Sequence, residues 1–168
     1  MTSQLLADII VDVSTFEKSF ERRLFMNQGK LLTKRIAHIS KYTQFHMDEA
    51  LKPYNLSSGT YPFLLALWQN EGINLEKISR EMRVDKALST RNIQKLIESG
   101  YLEKLSDLND CRAYRLFLTD KAKDVIPIIK EEIHLWISNI TQDLSQEEIK
   151  LLDSMLEKIL SRAEEKKL

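Results

Sequence analysis

From Lys86 to Lys95 the chain reads KALSTRNIQK, and on a helical wheel Ala87, Leu88, Arg91, Gln94 and Lys95 fall to one side. Ser89, Ile93, Leu96 and Ile97 fall to the other, with the three aliphatic residues as a core stripe. The first face offers long hydrogen-bond donors and no acid before Glu98. Such a face suits the major groove of double-stranded DNA, where donors meet base edges and phosphates and a carboxylate would be repelled. Lys86 and Ser89, near the start of this helix, are expected to reach phosphates together with its amides, and Leu88 suits a thymine methyl.

A second cluster follows in LSDLNDCRAYRLFLT, Leu105 to Thr119. Asp107, Asp110, Cys111 and Arg112 crowd a polar connection between two short apolar runs. If those runs pair as a hairpin beside the donor-bearing helix, Arg112 at the tip reaches the narrow, negative minor groove. Asp110 would brace the guanidinium as a bidentate partner, and Asp107 would close the loop by a side-chain to backbone bond.

Other chemistries find little support. There is no glycine-rich phosphate loop, no nucleophile elbow and no paired histidine and carboxylate motif, so no enzyme activity and no cofactor is expected. His38, His46 and His134 lack a metal-ligand spacing, and His38 and His46, eight apart, lie well off one helical line. The single cysteine cannot form an internal disulfide, which fits a reducing cytoplasm, and Cys111 reads as a passive surface thiol. The N-terminus has no signal pattern, and no apolar run approaches the roughly 20 residues that span a bilayer. Lys plus Arg and Asp plus Glu both number 25, so the net charge is zero and any attraction to nucleic acid must come from a local basic face.

The elements that must position these residues are mostly helical. Leu5, Leu6, Ile9, Ile10, Val13, Phe16, Phe20 and Leu24 predict an amphipathic helix over 3 to about 25, with a break at Asn27 and Gly29. Leu31, Leu32, Ile36, Ile39, Phe45 and Ala50 predict a second helix ending before Pro53. A third opens between Ser57 and Pro62 and stops at Gly72. Asn74 caps a short helix from Leu75 to Met82, and Asp85 caps another from Lys86 to about Ser99, which Gly100 ends. Tyr101 to Leu105 and Tyr114 to Leu118 read as strands joined by Ser106 to Ala113. Thr119 or Asp120 caps a long helix that Pro127 should kink, and Ser145 with Glu148 forms a capping box before a terminal helix.

Helix, turn, helix, hairpin is the order of a winged helix-turn-helix, and over Ile73 to Thr119 the chain resembles the multiple-antibiotic-resistance regulator (MarR) family. The resemblance rests on the tandem helices, the run Leu-Ile-Glu-x-Gly-Tyr-Leu at Leu96 to Leu102, the D-x-x-D-x-R pattern at Asp107, Asp110 and Arg112, and the closing Leu118 and Thr119. It covers about residues 30 to 165. It implies a mainly α protein with a winged helix-turn-helix DNA-binding lobe and a long-helix dimerisation lobe built from N- and C-terminal helices. The expected divisions are an extension helix over 1–28, a dimerisation helix over 29–56, the winged lobe over 57–119 and C-terminal dimerisation helices over 120–168. By position, Ser89, Thr90, Arg91 and Lys95 look like recognition-helix contacts, and Arg112 like the wing arginine held by Asp110.

The resemblance further implies a homodimer on a pseudo-palindromic operator, acting as a repressor and released by a small, often aromatic, effector. The mapping puts His38, Tyr42, Phe45 and His46 near the ligand pocket, with Tyr61 and Trp136 as further lining. As a group the aromatics Tyr42, Phe45, Tyr61 and Trp136 read as core first and ligand box second. Three departures stand out: Arg83 sits in a turn where the family often has glycine or asparagine, Ala122 replaces a glycine, and residues 1–28 precede the usual start. Two rivals stay open, a winged-helix module that binds protein, and a thiol- or metal-sensing regulator on the same scaffold.

Overall fold

The computed structural model describes residues 29–106 and 114–166. The chain divides into two compact units between Gln44 and Phe45. The expected extension helix lies outside the described residues.

In the first unit the described chain is the first part of helix α1, which spans 29–51. Thr33 and Thr43 each donate their hydroxyl four residues back, to the carbonyls of Gly29 and Ile39 at 2.9 Å, so neither competes with the helix. Leu31, Leu32, Ile36, Ile39 and Tyr42 are all exposed.

The second unit takes up the end of α1. A single 3-10 turn, Lys52–Tyr54, places Pro53 in its first positions, and Asn55 leaves it in the left-handed region. Helix α2, Tyr61–Gln69, also carries its proline in the first turn. It ends three residues earlier than Gly72, because that glycine, at φ 81°, serves the sheet: its amide donates to the Leu116 carbonyl at 2.9 Å. Helices α3, Leu75–Glu81, and α4, Lys86–Glu98, follow, then strands β1, Leu102–Ser106, and β2, Tyr114–Leu118. Helices α5, Asp120–Ile140, and α6, Gln146–Glu165, complete the described chain. Pro127 stands inside α5, which continues past it to Ile140.

Four helix starts read from the sequence have their caps in place. Asn74, Asp85, Thr119 and Ser145 each accept a hydrogen bond from the backbone three residues on, which contributes about 1 kcal/mol apiece. Ser145 and Glu148 complete the reciprocal box, the Ser145 amide donating to Glu148 Oε2 at 2.8 Å.

The strands pair antiparallel, Leu102 opposite Leu118 and Ser106 opposite Tyr114. One buried cluster joins α2, α3, α4, the sheet and the first half of α5, with Leu64, Leu67, Ile78, Leu96, Leu116 and Ile129 almost inaccessible. Tyr101 is buried at the end of α4, where its hydroxyl donates to the Tyr54 carbonyl at 2.7 Å, and burial pushes its pKa up. The second half of α5 and all of α6 leave Leu135, Ile137, Ile140, Leu152, Leu156 and Ile159 exposed. Among the described residues no helix is long and apolar enough to cross a membrane.

Candidate nucleic-acid interface

Helix α3 is held by its inner face. Leu75 and Ile78 are buried, and Ser79, also buried, donates its hydroxyl to the Leu75 carbonyl at 2.7 Å. The chain then turns through Met82, Arg83 and Val84, where the Val84 amide donates to the Ser79 carbonyl at 3.1 Å. Arg83 takes φ 54°, the left-handed conformation that glycine or asparagine adopts most readily. Its guanidinium donates to the carboxylate of Glu164 near the end of α6, which keeps the Arg83 pKa raised and the Glu164 pKa lowered. This turn sets α4 against α3.

Helix α4 buries Ser89, Asn92, Ile93 and Leu96. Its outward face exposes Lys86, Thr90, Arg91, Gln94 and Lys95, with Leu88 beside them. Three of these carry positive charge. Thr90 donates to the Lys86 carbonyl at 2.7 Å, and Gln94 donates to Glu98 at 2.9 Å, so the first acid on this face is already engaged along the helix. Lys95 lies at the rim of a groove of about 300 Å³ whose walls include Asn55, Ser57, Thr60 and Ser99.

One expectation needs correction. Ser89 is fully buried and its hydroxyl has no hydrogen-bond partner among the described residues, so its side chain cannot reach a phosphate. It belongs to the same inward stripe as Ile93 and Leu96, and that periodicity outweighs its polar character. Asp85, the expected cap, accepts the Leu88 amide at 2.8 Å, which withdraws that donor from any anion.

The wing has a fixed base. Beyond its pairing with β1, the Leu116 amide of β2 donates to the Ile73 carbonyl at 3.0 Å, and the Leu118 amide donates to Glu71 at 2.8 Å. Gly72 is favoured there by its positive φ, while a Cβ would stand at ordinary contact distance, 3.4 Å, from the Phe117 ring. Lys104 lies over the Tyr114 ring, 4.6 Å from its centroid. Asp107, Asp110, Cys111 and Arg112 lie outside the described residues, so the expected brace and wing contact are not addressed by this geometry. Sequence reading passed over a cleft of about 430 Å³ at the same base, lined by Lys77, Arg80 and Arg115 together with Glu71 and Glu76. The spacing of Lys77 and Arg80 on α3 carried the signal, but Arg115 joins them only through the sheet.

Of the residues mapped to a ligand pocket, His46 and Trp136 meet within the second unit. Their rings stack at 4.5 Å between centroids and 19° between planes. His46 Nε2 is buried without a hydrogen-bond partner among the described residues and stands 3.9 Å from Glu132, too far for a hydrogen bond. Tyr61 is half-buried, and burial together with nearby Asp48 raises its pKa. His38 and Tyr42 belong to the first unit and are exposed. Tyr42 and Phe45, 65% and 67% exposed, depart from the expectation that the aromatic set is core. Among the described residues no three His, Cys, Asp or Glu side chains gather as metal ligands.

The profile of the MarR family matches residues 56–114, which hold α2, α3, α4, β1 and the start of β2. The HTH-type transcriptional regulator BilQ of Clostridioides difficile (strain CD3) is 36% identical over 125 residues, covering 74% of this chain and 84% of that protein. A MarR transcriptional regulator from Methanosarcina mazei Go1 superposes with a TM-score of 0.76 at 30% identity, covering 81% of this chain and 98% of the other. A Listeria monocytogenes protein crystallised with a 26mer DNA shares the fold, with a TM-score of 0.71 at 24% identity, over 77% of this chain and 87% of the other. With the tandem helices, the outward cations of α4 and the anchored wing, these similarities establish that the chain belongs to the MarR family of transcriptional regulators and that α3, α4 and the β1–β2 hairpin are its DNA-binding winged helix.

Proposed function

We propose that this chain acts as a homodimer that represses transcription by binding a pseudo-palindromic operator and is released by a small aromatic effector. The observation that carries the reading is the outward face of α4, where Lys86, Arg91 and Lys95 are exposed and no acid precedes Glu98. Arg91 and Gln94 face base edges in this reading, while Lys86, Thr90 and Lys95 hold phosphates. Arg112, braced by Asp110, enters the minor groove beside them. The Listeria monocytogenes relative solved with DNA supports duplex DNA as the partner.

Dimerisation is supported by the exposed apolar face of α6, from Leu151 to Leu160, with Leu135, Ile137 and Ile140 of α5. A soluble monomer rarely leaves so much apolar surface in water. Two copies would present two α4 helices, and an operator with half-sites one turn apart, roughly 34–36 Å, would accept both. The His46–Trp136 stack supplies an aromatic plate and a buried ring nitrogen with no hydrogen-bond partner among the described residues, which suits a planar effector. An effector that favours a different spacing of the two α4 helices would lower affinity by population shift.

Selection of bound fragments from the source genome by the purified protein, with affinity followed against salt, tests this. Enrichment of a two-fold symmetric site with a steep salt slope is expected. Failure to enrich any fragment at low salt would overturn the reading and favour a module that binds protein.

A further inference from the structure

A cleft of about 430 Å³ opens at the base of the wing, inside the second unit, between α3, β2 and residues 71–74. Three cations converge on it. Leu75, Ile78 and Ser79 fix the inner face of α3, so Lys77 and Arg80, three residues apart, stand together on its outer side. Leu116 is buried, and its neighbour Arg115 therefore points to the opposite face of the sheet. The Gly72 amide donates to the Leu116 carbonyl, and the Leu116 amide donates to the Ile73 carbonyl. This pairing holds the start of α3 against β2 and brings Arg115 into the same lining as Lys77 and Arg80.

Two other polar side chains of the lining are committed to the backbone. Asn74 accepts the Lys77 amide at 2.9 Å, and Glu71 accepts the Leu118 amide at 2.8 Å. Glu76 is the remaining acid, against three cations. Lys77 and Arg80 form no ion pair among the described residues, whereas Arg83 and Arg162 are each paired with a glutamate. Two guanidinium forks and one ammonium, set on two elements, suit a tetrahedral anion with several acceptor oxygens. We infer that the cleft binds a phosphate group, bridged between Lys77 and Arg80 of α3 and Arg115 of β2. Its volume admits a small phosphorylated molecule, and its place at the wing base admits a phosphate of the DNA backbone. Both present the same group to the same three side chains, and either would tie the helix-turn-helix to the wing. The inference rests on the winged helix alone, not on the dimer, the operator or the aromatic effector.

Two titrations of the full-length protein test this and separate the sources. One follows the heat of pyrophosphate binding to the DNA-free protein at low salt. The other follows affinity for a duplex of random sequence against salt. Lys77→Gln with Arg80→Gln removes two of the three cations from an exposed helix face, and Lys123→Gln with Lys150→Gln removes two exposed lysines outside the cleft as the control. For a small phosphorylated molecule, pyrophosphate should bind saturably, with affinity lowered on the order of tenfold by the first pair and unchanged by the control. For the DNA backbone, pyrophosphate should not bind, and the first pair alone should flatten the plot of log affinity against log salt by up to about 1.8, the share of two contacts. Arg115→Gln should give a loss of the same kind in whichever titration responds, and no loss would overturn the bridge between α3 and β2. Should that variant lower the melting temperature, Arg115→Lys keeps the charge, loses the guanidinium fork and should still weaken the response. No response in either titration, or equal losses in the two lysine and arginine pairs, would overturn the phosphate site.

Discussion

The guanidinium of Arg83 donates to the carboxylate of Glu164, so the turn between the two helices of the DNA-binding motif is tied to the last turn of α6, 81 residues further along the chain. Arg83 does so from a left-handed backbone, φ 54°, in a turn where the family often has glycine or asparagine. Side chain and backbone therefore pull in opposite directions. The residue that strains the turn is also the one that joins it to α6.

Separating the two effects needs two substitutions. Arg83→Ala loses the ion pair and keeps the strain, whereas Arg83→Gly loses both. A left-handed alanine is costly where glycine is not, so Arg83→Gly should be the more stable of the two by about 1 kcal/mol in urea unfolding. If the pair positions α4 relative to α6, both variants should bind operator more weakly than the parent by the same factor. Equal stability of the two variants would mean that the turn relaxes when the arginine is removed.

Acid should loosen α6 from both ends. Glu148 accepts the Ser145 amide and hydroxyl, and Glu164 accepts Arg83, and each carboxyl is thereby held below its ordinary value near 4.5. A carboxyl whose folded pKa is depressed adds stability above its unfolded pKa and loses it as pH falls through the folded one. Stability should thus be flat from neutrality to about pH 5 and fall below that. Glu148→Gln with Glu164→Gln should be less stable at pH 7 and lose less between pH 5 and pH 3. An unchanged acid slope in urea titrations at several pH values would exclude these two groups.

Much of this was legible in the sequence because local chemistry coincides with tertiary need. Asn74, Asp85, Thr119 and Ser145 mark helix starts by capping, and all four act as caps. The period change after Gly100 marks β1 and β2, which begin and end within a residue of the expected bounds. Ser89 was misassigned because two local signals conflict there: its polarity and place near a helix start suggest a phosphate, while its spacing to Ile93 and Leu96 puts it inside. Burial settles the matter in favour of spacing. What a sequence cannot disclose is pairing across long separations. The Arg83–Glu164 pair, the stacking of His46 on Trp136, and the amide of Leu118 donating to Glu71 all join residues with no local pattern in common.

Ser89 offers a direct check on that correction. Its hydroxyl is buried without a hydrogen-bond partner among the described residues, so Ser89→Ala removes an unsatisfied group at little loss of volume and should stabilise the protein by roughly 1 kcal/mol. Operator affinity should not change. Exposed Thr90, one residue on, provides the contrast: in the proposed interface Thr90→Ala weakens binding and leaves stability nearly unaltered. A loss of affinity in Ser89→Ala without loss of stability would restore it as a contact.

The two arginines assigned different jobs at the interface should separate by how they respond to sequence and salt. Arg91 is exposed in the middle of α4 and in the proposed interface faces base edges, so Arg91→Ala should cost about 1–3 kcal/mol on the operator and much less on unrelated duplexes, narrowing the ratio between them. In the proposed interface Arg112 enters the minor groove, where its charge would contribute with little regard to sequence. Arg112→Ala should weaken both classes of duplex and flatten the plot of log affinity against log salt by up to about 0.9, the share of one phosphate. Lys95→Ala, removing an exposed cation from the groove beside Ser57 and Thr60, should behave like Arg112→Ala. Titrations of operator and scrambled duplex at four or five salt concentrations measure all three. An Arg91 variant that loses equal affinity on both duplexes would move that residue to the phosphates, and an Arg112 variant with an unchanged slope would remove the wing from the electrostatic footprint.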